Sequence, residues 1–90
     1  MDLRGASPNP FNPVTVIAFG VPRTGPVKLE IFDLRGRRIA TLVDGTITAG
    51  YHEIRWDGSD DWDRAAGSGV YMARLLADGT RRTLKLMLAK

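Results

Sequence analysis

The chain contains no cysteine and a single histidine, His52. Without thiols it can form neither a disulfide framework nor a thiolate metal site. Secreted domains can do without disulfides, so export is not excluded. No Ser-His-Asp or paired-carboxylate arrangement stands out around His52, so enzymatic activity is not expected. His52 shares a strand face with Ile54 and Trp56, which points to a packed or edge position. Long apolar runs are also missing: none approaches the roughly 20 residues that span a bilayer as a helix. The opening Met1-Asp2-Leu3-Arg4-Gly5 lacks the basic region and apolar stretch of a secretory signal. The chain is therefore either cytoplasmic or a piece of a longer exported precursor. No segment has helical periodicity, and no internal repeat of about 20–50 residues is visible.

What is present fits one small domain: 90 residues, 43% of them hydrophobic, enough for one modest core. Thirteen Lys and Arg against ten Asp and Glu leave a net charge of +3. The bases gather at Arg35-Gly36-Arg37-Arg38 and Arg81-Arg82, the acids at Asp57, Asp60, Asp61 and Asp63. This is a polarised surface and not the continuous basic stripe of a nucleic-acid groove, so no nucleic-acid partner is expected.

Alternation of apolar and polar residues defines the strands. Residues 1–13 read as a Pro-rich linker or strap, because Pro8, Pro10 and Pro13 remove donors and hold their neighbours extended; Phe11 is its one large apolar group, expected to be pinned against the domain. Val14–Val21 is the first predicted strand, with Ile17, Phe19 and Val21 on one face. After the turn at residues 22–26, Val27, Leu29 and Ile31 alternate with Lys28 and Glu30, a strand with one wet face. Asp33–Gly36 is a tight turn, Arg38–Val43 a third strand, and residues 44–50 a loop. Tyr51–Asp57 and Val70–Ala77 follow, the latter released by Ser68-Gly69. Asp78-Gly79 matches a type I′ hairpin turn, leading to a last strand, Thr80–Ala89, with Leu84, Leu86 and Leu88 inward. Short strands at this spacing with Gly/Pro/Asp turns argue for an all-β, Ig-like antiparallel β-sandwich of about six to seven strands over residues 14–90.

Several of these stretches, taken in order, resemble one family. Asn9-Pro10-Phe11-Asn12-Pro13 before Thr15-Val16-Ile17-Ala18-Phe19 looks like the opening of the C-terminal sorting domains of type IX secretion. Val27 to Arg37 with its Asp-x-x-Gly turn, Ala49-Gly50, Trp56-Asp57-Gly58, Ser68-Gly69-Val70-Tyr71, and the last strand with Lys85 and Lys90 are similar to the later elements. The related Ig-like domain of flagellar hook-capping proteins shares the Trp-Asp-Gly and Ser-Gly-Val-Tyr part; the Asn-Pro-Phe-Asn-Pro opening favours the sorting reading. One departure is visible: Asp60-Asp61-Trp62-Asp63-Arg64 places Trp62 and Asp63 where the family often has a small residue and Gly, which puts the turn there in doubt. The resemblance implies a non-enzymatic signal that takes an N-terminal cargo across the outer membrane, with translocon and surface-sortase components as partners and the periplasm, then the cell surface or medium, as its location. Cleavage by a sortase would fall in the extended stretch near Met1–Pro8.

The candidate site residues follow. Phe11, Ile17, Phe19, Leu29, Ile31, Trp56, Gly58, Gly69 and Tyr71 are expected to be core or motif positions. Arg35, Arg37, Arg38, Trp62, Lys85 and Lys90 are candidates for partner binding, with Arg81, Arg82 and Lys85 joining the Arg35–Arg38 turn in one basic patch if the two turns lie at the same end. Trp62 either folds over the core or stands exposed as an interface anchor. Asp57, Asp60, Asp61 and Asp63 offer oxygen ligands for Ca²⁺, although the EF-hand spacing is absent; no cofactor is expected. Two rivals remain. One is a structural Ig-like module pairing through edge strands, with Thr83–Leu88 as a candidate edge blunted by one lysine. The other is a carbohydrate-binding accessory domain, for which only Trp62 and Tyr51 are available.

Overall fold

The computed structural model describes residues 1–90, and seven antiparallel strands account for most of them: β1 (Asp2–Ser7), β2 (Thr15–Val21), β3 (Gly25–Asp33), β4 (Arg38–Ile47), β5 (Gly50–Trp56), β6 (Gly69–Ala77) and β7 (Thr80–Leu88). They form two sheets, one ordered β1-β2-β5 and one ordered β4-β3-β6-β7. The fold is the all-β Ig-like sandwich expected from the strand pattern. No helix is long and apolar enough to cross a membrane.

Period-2 alternation builds the core directly. β2 turns Thr15, Ile17, Phe19 and Val21 inward, and β3 turns Val27, Leu29 and Ile31 inward; β6 adds Ala73, Leu75 and Ala77, and β7 adds Leu86 and Leu88. Trp56, Phe11 and Tyr71 close the core at one end. Each fully buried Ile, Leu or Phe contributes roughly 1.5–3 kcal/mol by leaving water. Phe11, Ile17, Phe19, Leu29, Ile31, Trp56 and Tyr71 are all buried, as their positions in the pattern require. Leu84 is only half-buried, because β7 is the outermost strand of its sheet. The β6–β7 turn has Asp78 at φ 54° and Gly79 at φ 73°, the paired left-handed geometry of a type I′ turn.

Three expectations need correction. Residues 1–13 are not a strap throughout: Asp2–Ser7 is strand β1, laddered to β2 from Asp2↔Gly20 to Ser7↔Val16 with an irregularity between Leu3 and Gly5. That segment is short, Gly-containing and half-exposed on an edge, so its alternation is weak; as paired backbone it is also not the open cleavage stretch expected. Of residues 44–50 only Thr48 and Ala49 form a loop. β4 runs through Asp44 and Gly45 to Ile47 against Gly25–Lys28, and its polar residues there are exposed, which hides a strand from a pattern built on buried faces. The third concerns the edge of β7, which is covered, as described next.

Candidate functional site

Antiparallel topology gathers at one end of the sandwich the 8–14 strap, the 34–37 turn, the 57–68 loop and residues 89–90. The strap lies along β7. Asn9 Nδ2 donates to the Lys85 carbonyl at 2.9 Å, and Asn9 Oδ1 accepts from the Met87 N–H at 3.0 Å. The Phe11 N–H donates to the Met87 carbonyl, and the Ala89 N–H donates to the Phe11 carbonyl, both at 2.9 Å. The Asn9 amide thus stands in for a peptide group, and Phe11 continues the pairing as a parallel bridge to Leu88. The candidate edge Thr83–Leu88 is therefore closed from Lys85 onward, the usual protection against pairing with another chain. Beneath the strap Thr15, fully buried, donates its hydroxyl to the Pro8 carbonyl at 2.8 Å.

The Phe11 ring packs on Trp56 at 5.4 Å between centroids, and Tyr71 meets Trp56 edge-on at 5.5 Å. The Trp56 indole N–H donates to the Ser59 carbonyl at 2.9 Å, and the Tyr71 hydroxyl to the Gly67 carbonyl. Trp-Asp-Gly and Ser-Gly-Val-Tyr are thereby one assembly: two aromatics held upright by the loop that joins their strands. Gly69 opens β6 opposite Leu88. Burial first, then the Asp33 charge, raises the Tyr71 hydroxyl above its ordinary pKa of 10.0.

The 57–68 loop contains a copy of the 33–37 turn. Asp33 Oδ1 accepts from the Arg35 and Arg37 amides at 2.9 Å each, and Arg37 Nε donates to Oδ2 at 3.0 Å. Asp60 Oδ1 likewise accepts from the Trp62 and Arg64 amides at 2.9 Å each, and Arg64 Nε donates to Oδ2 at 3.1 Å. Gly36 occupies the left-handed position of the first turn at φ 84°, and Asp63 that of the second at φ 62°. The turn in doubt forms after all, with Asp tolerating a conformation that Gly adopts freely. Replacing Asp63 with Gly is expected to stabilise the fold by about 0.5–1 kcal/mol, read as a rise of a few degrees in the thermal midpoint; the Asp63 carboxylate makes no hydrogen bond that would be lost.

Three acids of this loop are taken up by local structure: Asp57 and Asp60 within the loop and Asp61 on β4. Asp57 accepts from both the hydroxyl and the N–H of Ser59. Asp61 caps the outer edge of β4: its N–H donates to the Ile39 carbonyl at 2.9 Å, its Oδ1 accepts from the Thr41 N–H at 2.8 Å, and Oδ2 lies 3.4 Å from Arg38 Nε. Asp57, Asp60, Asp61 and Asp63 do not converge into a group of His, Asp or Glu able to hold a metal ion, which removes the geometric basis of the calcium candidate.

Donated hydrogen bonds lower three of these carboxyl pKa values below the ordinary 3.8: the Arg37 amide foremost for Asp33, the Ser59 hydroxyl for Asp57, and the Arg64 amide for Asp60. Each group binds its proton more tightly in the unfolded chain. The stability they add is complete above that unfolded value and is lost as the pH falls through the folded ones. Thermal midpoints followed by circular dichroism should be level from about pH 5 to 8 and drop below about pH 4, with a shallower acid limb in Asp60→Asn.

The partner-binding candidates separate into two groups. Arg37, Arg38 and Lys90 are tied down: Arg37 to Asp33, Arg38 to Asp61, and Lys90 through its N–H to Ser68 Oγ and its ammonium to the Ala66 carbonyl. Arg35, Trp62 and Lys85 keep free side chains, and Trp62, 77% exposed at the loop tip, stands out from the domain and is not folded back over the core. The supposed single basic patch does not form, since the 34–37 turn and the Asp78-Gly79 turn lie at opposite ends. His52 stacks on Phe19 at 5.6 Å with Nε2 2.7 Å from the Thr48 carbonyl, a packed position. Tyr51 is half-exposed under the Arg4 guanidinium, 4.9 Å from its ring centre.

Sequence reasoning missed a charged node on the outer face of the larger sheet. Glu30, on the wet side of β3, is only 3% exposed because Arg74, Lys28 and Arg38 surround it at 3.0, 3.7 and 3.9 Å. The signal was available in the cross-strand register, which no single strand reveals.

Comparison with known proteins fits this geometry. No curated protein sequence matches the chain. Among solved structures, PorZ of Porphyromonas gingivalis, an essential bacterial surface component of the type IX secretion system, superposes with TM-score 0.69 at 18% identity, over 94% of this chain and 11% of PorZ. FlgD from P. aeruginosa superposes with TM-score 0.61 at 23% identity, over 83% of this chain and 59% of FlgD. The Pseudomonas fluorescens alkylpurine DNA glycosylase AlkC follows with TM-score 0.57 at 19% identity, over 94% of this chain and 28% of AlkC. The chain thus spans only part of each neighbour, and the likeness is one of fold. The family described as the FlgD Ig-like domain matches residues 14–80, well over half of the sequence; the chain belongs to the FlgD Ig-like domain family.

Proposed function

We propose that this Ig-like domain is a non-enzymatic sorting signal, which directs an exported cargo to a type IX translocon and on to the cell surface. The observation that carries the reading is the strap. The family match covers residues 14–80, so the Asn9–Pro13 stretch and the end of β7 both lie outside it, and these two flanks are the ones that bond to each other through Asn9 and Phe11. Asn-Pro-Phe-Asn-Pro is also the stretch that distinguishes the sorting resemblance from the hook-capping one. A signal of this kind has to present one folded surface to its receptor without pairing indiscriminately, and the cover that Asn9 and Phe11 give β7 from Lys85 onward, with Asp61 capping β4 at Ile39 and Thr41, works toward that. The fold it shares with a part of PorZ is consistent with the same export system.

The test is a fluorescent reporter exported to the periplasm with residues 1–90 at its C-terminus, in a bacterium with a type IX system and in a translocon-deficient strain. Delivery to the surface or medium only in the intact strain supports the reading. Retention in the periplasm of both strains sinks it. Light scattering on the isolated domain then separates a monomeric signal from the rival, an assembling module whose interface would bury more than about 1,000 Å².

A further inference from the structure

The outer face of the β4-β3-β6-β7 sheet carries more positive charge than its own structure uses. Direct cross-strand pairing places Lys28, Leu76 and Arg81 in one row, Glu30, Arg74 and Thr83 in the next, and Phe32, Met72 and Lys85 in the third. β4 adds Arg38 opposite Phe32 and Asp44 opposite Lys28. Lys28, Arg38, Arg74, Arg81 and Lys85 therefore meet three acids, Glu30 and Asp44 on the face and Asp61 beside Arg38. One carboxylate, Glu30, is shared by three cations, and Arg81 and Lys85 pair with no acid at all.

The cations rim a trough with an apolar floor. Phe32, Leu34 and Met72 share the lining of a groove of about 460 Å³ with Asp33, Gly36, Arg74, Arg81 and Thr83, within the range of ligand sites; the carboxylate of Asp33 is engaged by the Arg35 and Arg37 amides and the Arg37 guanidinium. The Arg74 guanidinium carbon lies over the Phe32 ring, 4.3 Å from its centre, and Arg74 Nε is buried with no hydrogen-bond partner. That unpaired N–H is itself out of a ligand's reach, and contact falls to the rest of the Arg74 side chain, which is 31% exposed. Leu34, 71% exposed, stands at the end of the groove next to this floor.

We propose that this trough binds an extended acidic peptide segment of a partner protein, with carboxylates meeting Arg74, Arg81 and Lys85 and an apolar side chain resting on Phe32, Met72 and Leu34. Charge complementarity selects the sign of the ligand, and the recessed floor between the cations selects acidic and apolar residues two positions apart, which a strand-like peptide presents on one face. An anionic membrane fits less well. The protruding tips that would reach a bilayer carry Leu34 and Trp62, but their cations Arg37, Arg38 and Arg64 are each matched by Asp33, Asp61 and Asp60. The unmatched charge lies on the flat of the sheet.

The probe is a fluorescein-labelled octapeptide, Glu-Ser-Leu-Ser-Glu-Ser-Leu-Ser, whose Glu and Leu share one face when extended, titrated by anisotropy with the whole domain, beside a copy with Lys for every Glu. Phosphatidylglycerol vesicles serve as a lipid control. The acidic peptide is expected to bind in a salt-dependent manner and the Lys peptide not to bind. Arg81→Glu with Lys85→Glu should weaken binding at least about tenfold; both side chains are exposed and unpaired, so folding is kept, as an unchanged thermal midpoint would verify. Equal binding by the double variant, binding of both peptides alike, or vesicle binding without peptide binding would each overturn the proposal.

Discussion

A chain beginning at Val14 is expected to lose the cooperative thermal transition expected of residues 1–90. The family match starts at that residue, so it is a natural place to cut, and the structure argues against it. Removing residues 1–13 takes away Phe11, 2% exposed and packed on Trp56. Deleting a buried Phe side chain alone costs about 3–5 kcal/mol. The cut also strips β1 from β2, exposing apolar surface where Met1, Leu3 and Ala6 pack on the core, and it reopens the β7 edge at Lys85, Met87 and Ala89. Against a total stability of roughly 5–15 kcal/mol for a domain of this size, these losses leave little margin. Calorimetry of the two chains reads the result: a broad or missing transition for residues 14–90, with aggregation as β7 becomes available. A transition within a few degrees of the full chain's would show that the strap and β1 are accessories.

Gly58→Ala is expected to lower the thermal midpoint by about 10–20 °C, through a loss of about 2–3 kcal/mol. Gly58 is buried in the Trp-Asp-Gly stretch at φ 77°, a conformation that costs an L side chain about 1–2 kcal/mol. An added Cβ would also sit 3.2 Å from the Pro13 carbonyl oxygen and 3.5 Å from Leu88 Cδ2, pressing the loop against the strap and β7 together. The Leu88 contact is an ordinary one, so the strain falls on the left-handed φ and on the Pro13 carbonyl, a backbone atom. Gly45→Ala is the control, since it has an ordinary φ and nothing within 4 Å of its Cβ position; its midpoint should stay within about 4 °C of the parent's.

These two positions also mark what the sequence made legible. Trp56, Gly58 and Tyr71 announced themselves because a strand, a turn glycine and a second strand follow one another locally, and the inward rows of β2, β3 and β6 could be read from alternation alone. β1 and the end of β4 were hidden because edge strands bury only one side and carry Gly, Asp and Ser, residues that otherwise signal loops. Asn9 gave no signal as an edge cap, since its partners Lys85 and Met87 lie more than seventy positions away, as their separations of 76 and 78 show. The equivalence of Asp33–Arg37 and Asp60–Arg64 was readable as an Asp-x-x-x-Arg spacing, but the Gly that marks the turn in the first is Asp63 in the second. Glu30 looked like a solvated residue because burial on an outer face depends on three cations from three different strands.

The central claim is that the strap is a working part of the sandwich which closes β7, and amide hydrogen exchange at Met87 and Ala89 tests it most directly. These N–H groups point away from β6 and are protected only through Asn9 Oδ1 and the Phe11 carbonyl. The structure predicts exchange at least about a hundredfold slower than in an unstructured peptide at both positions. Exchange within about tenfold of the peptide rate, while the amides bonded between β6 and β7 stay protected, would mean that the strap is loose in solution and that β7 is an open edge.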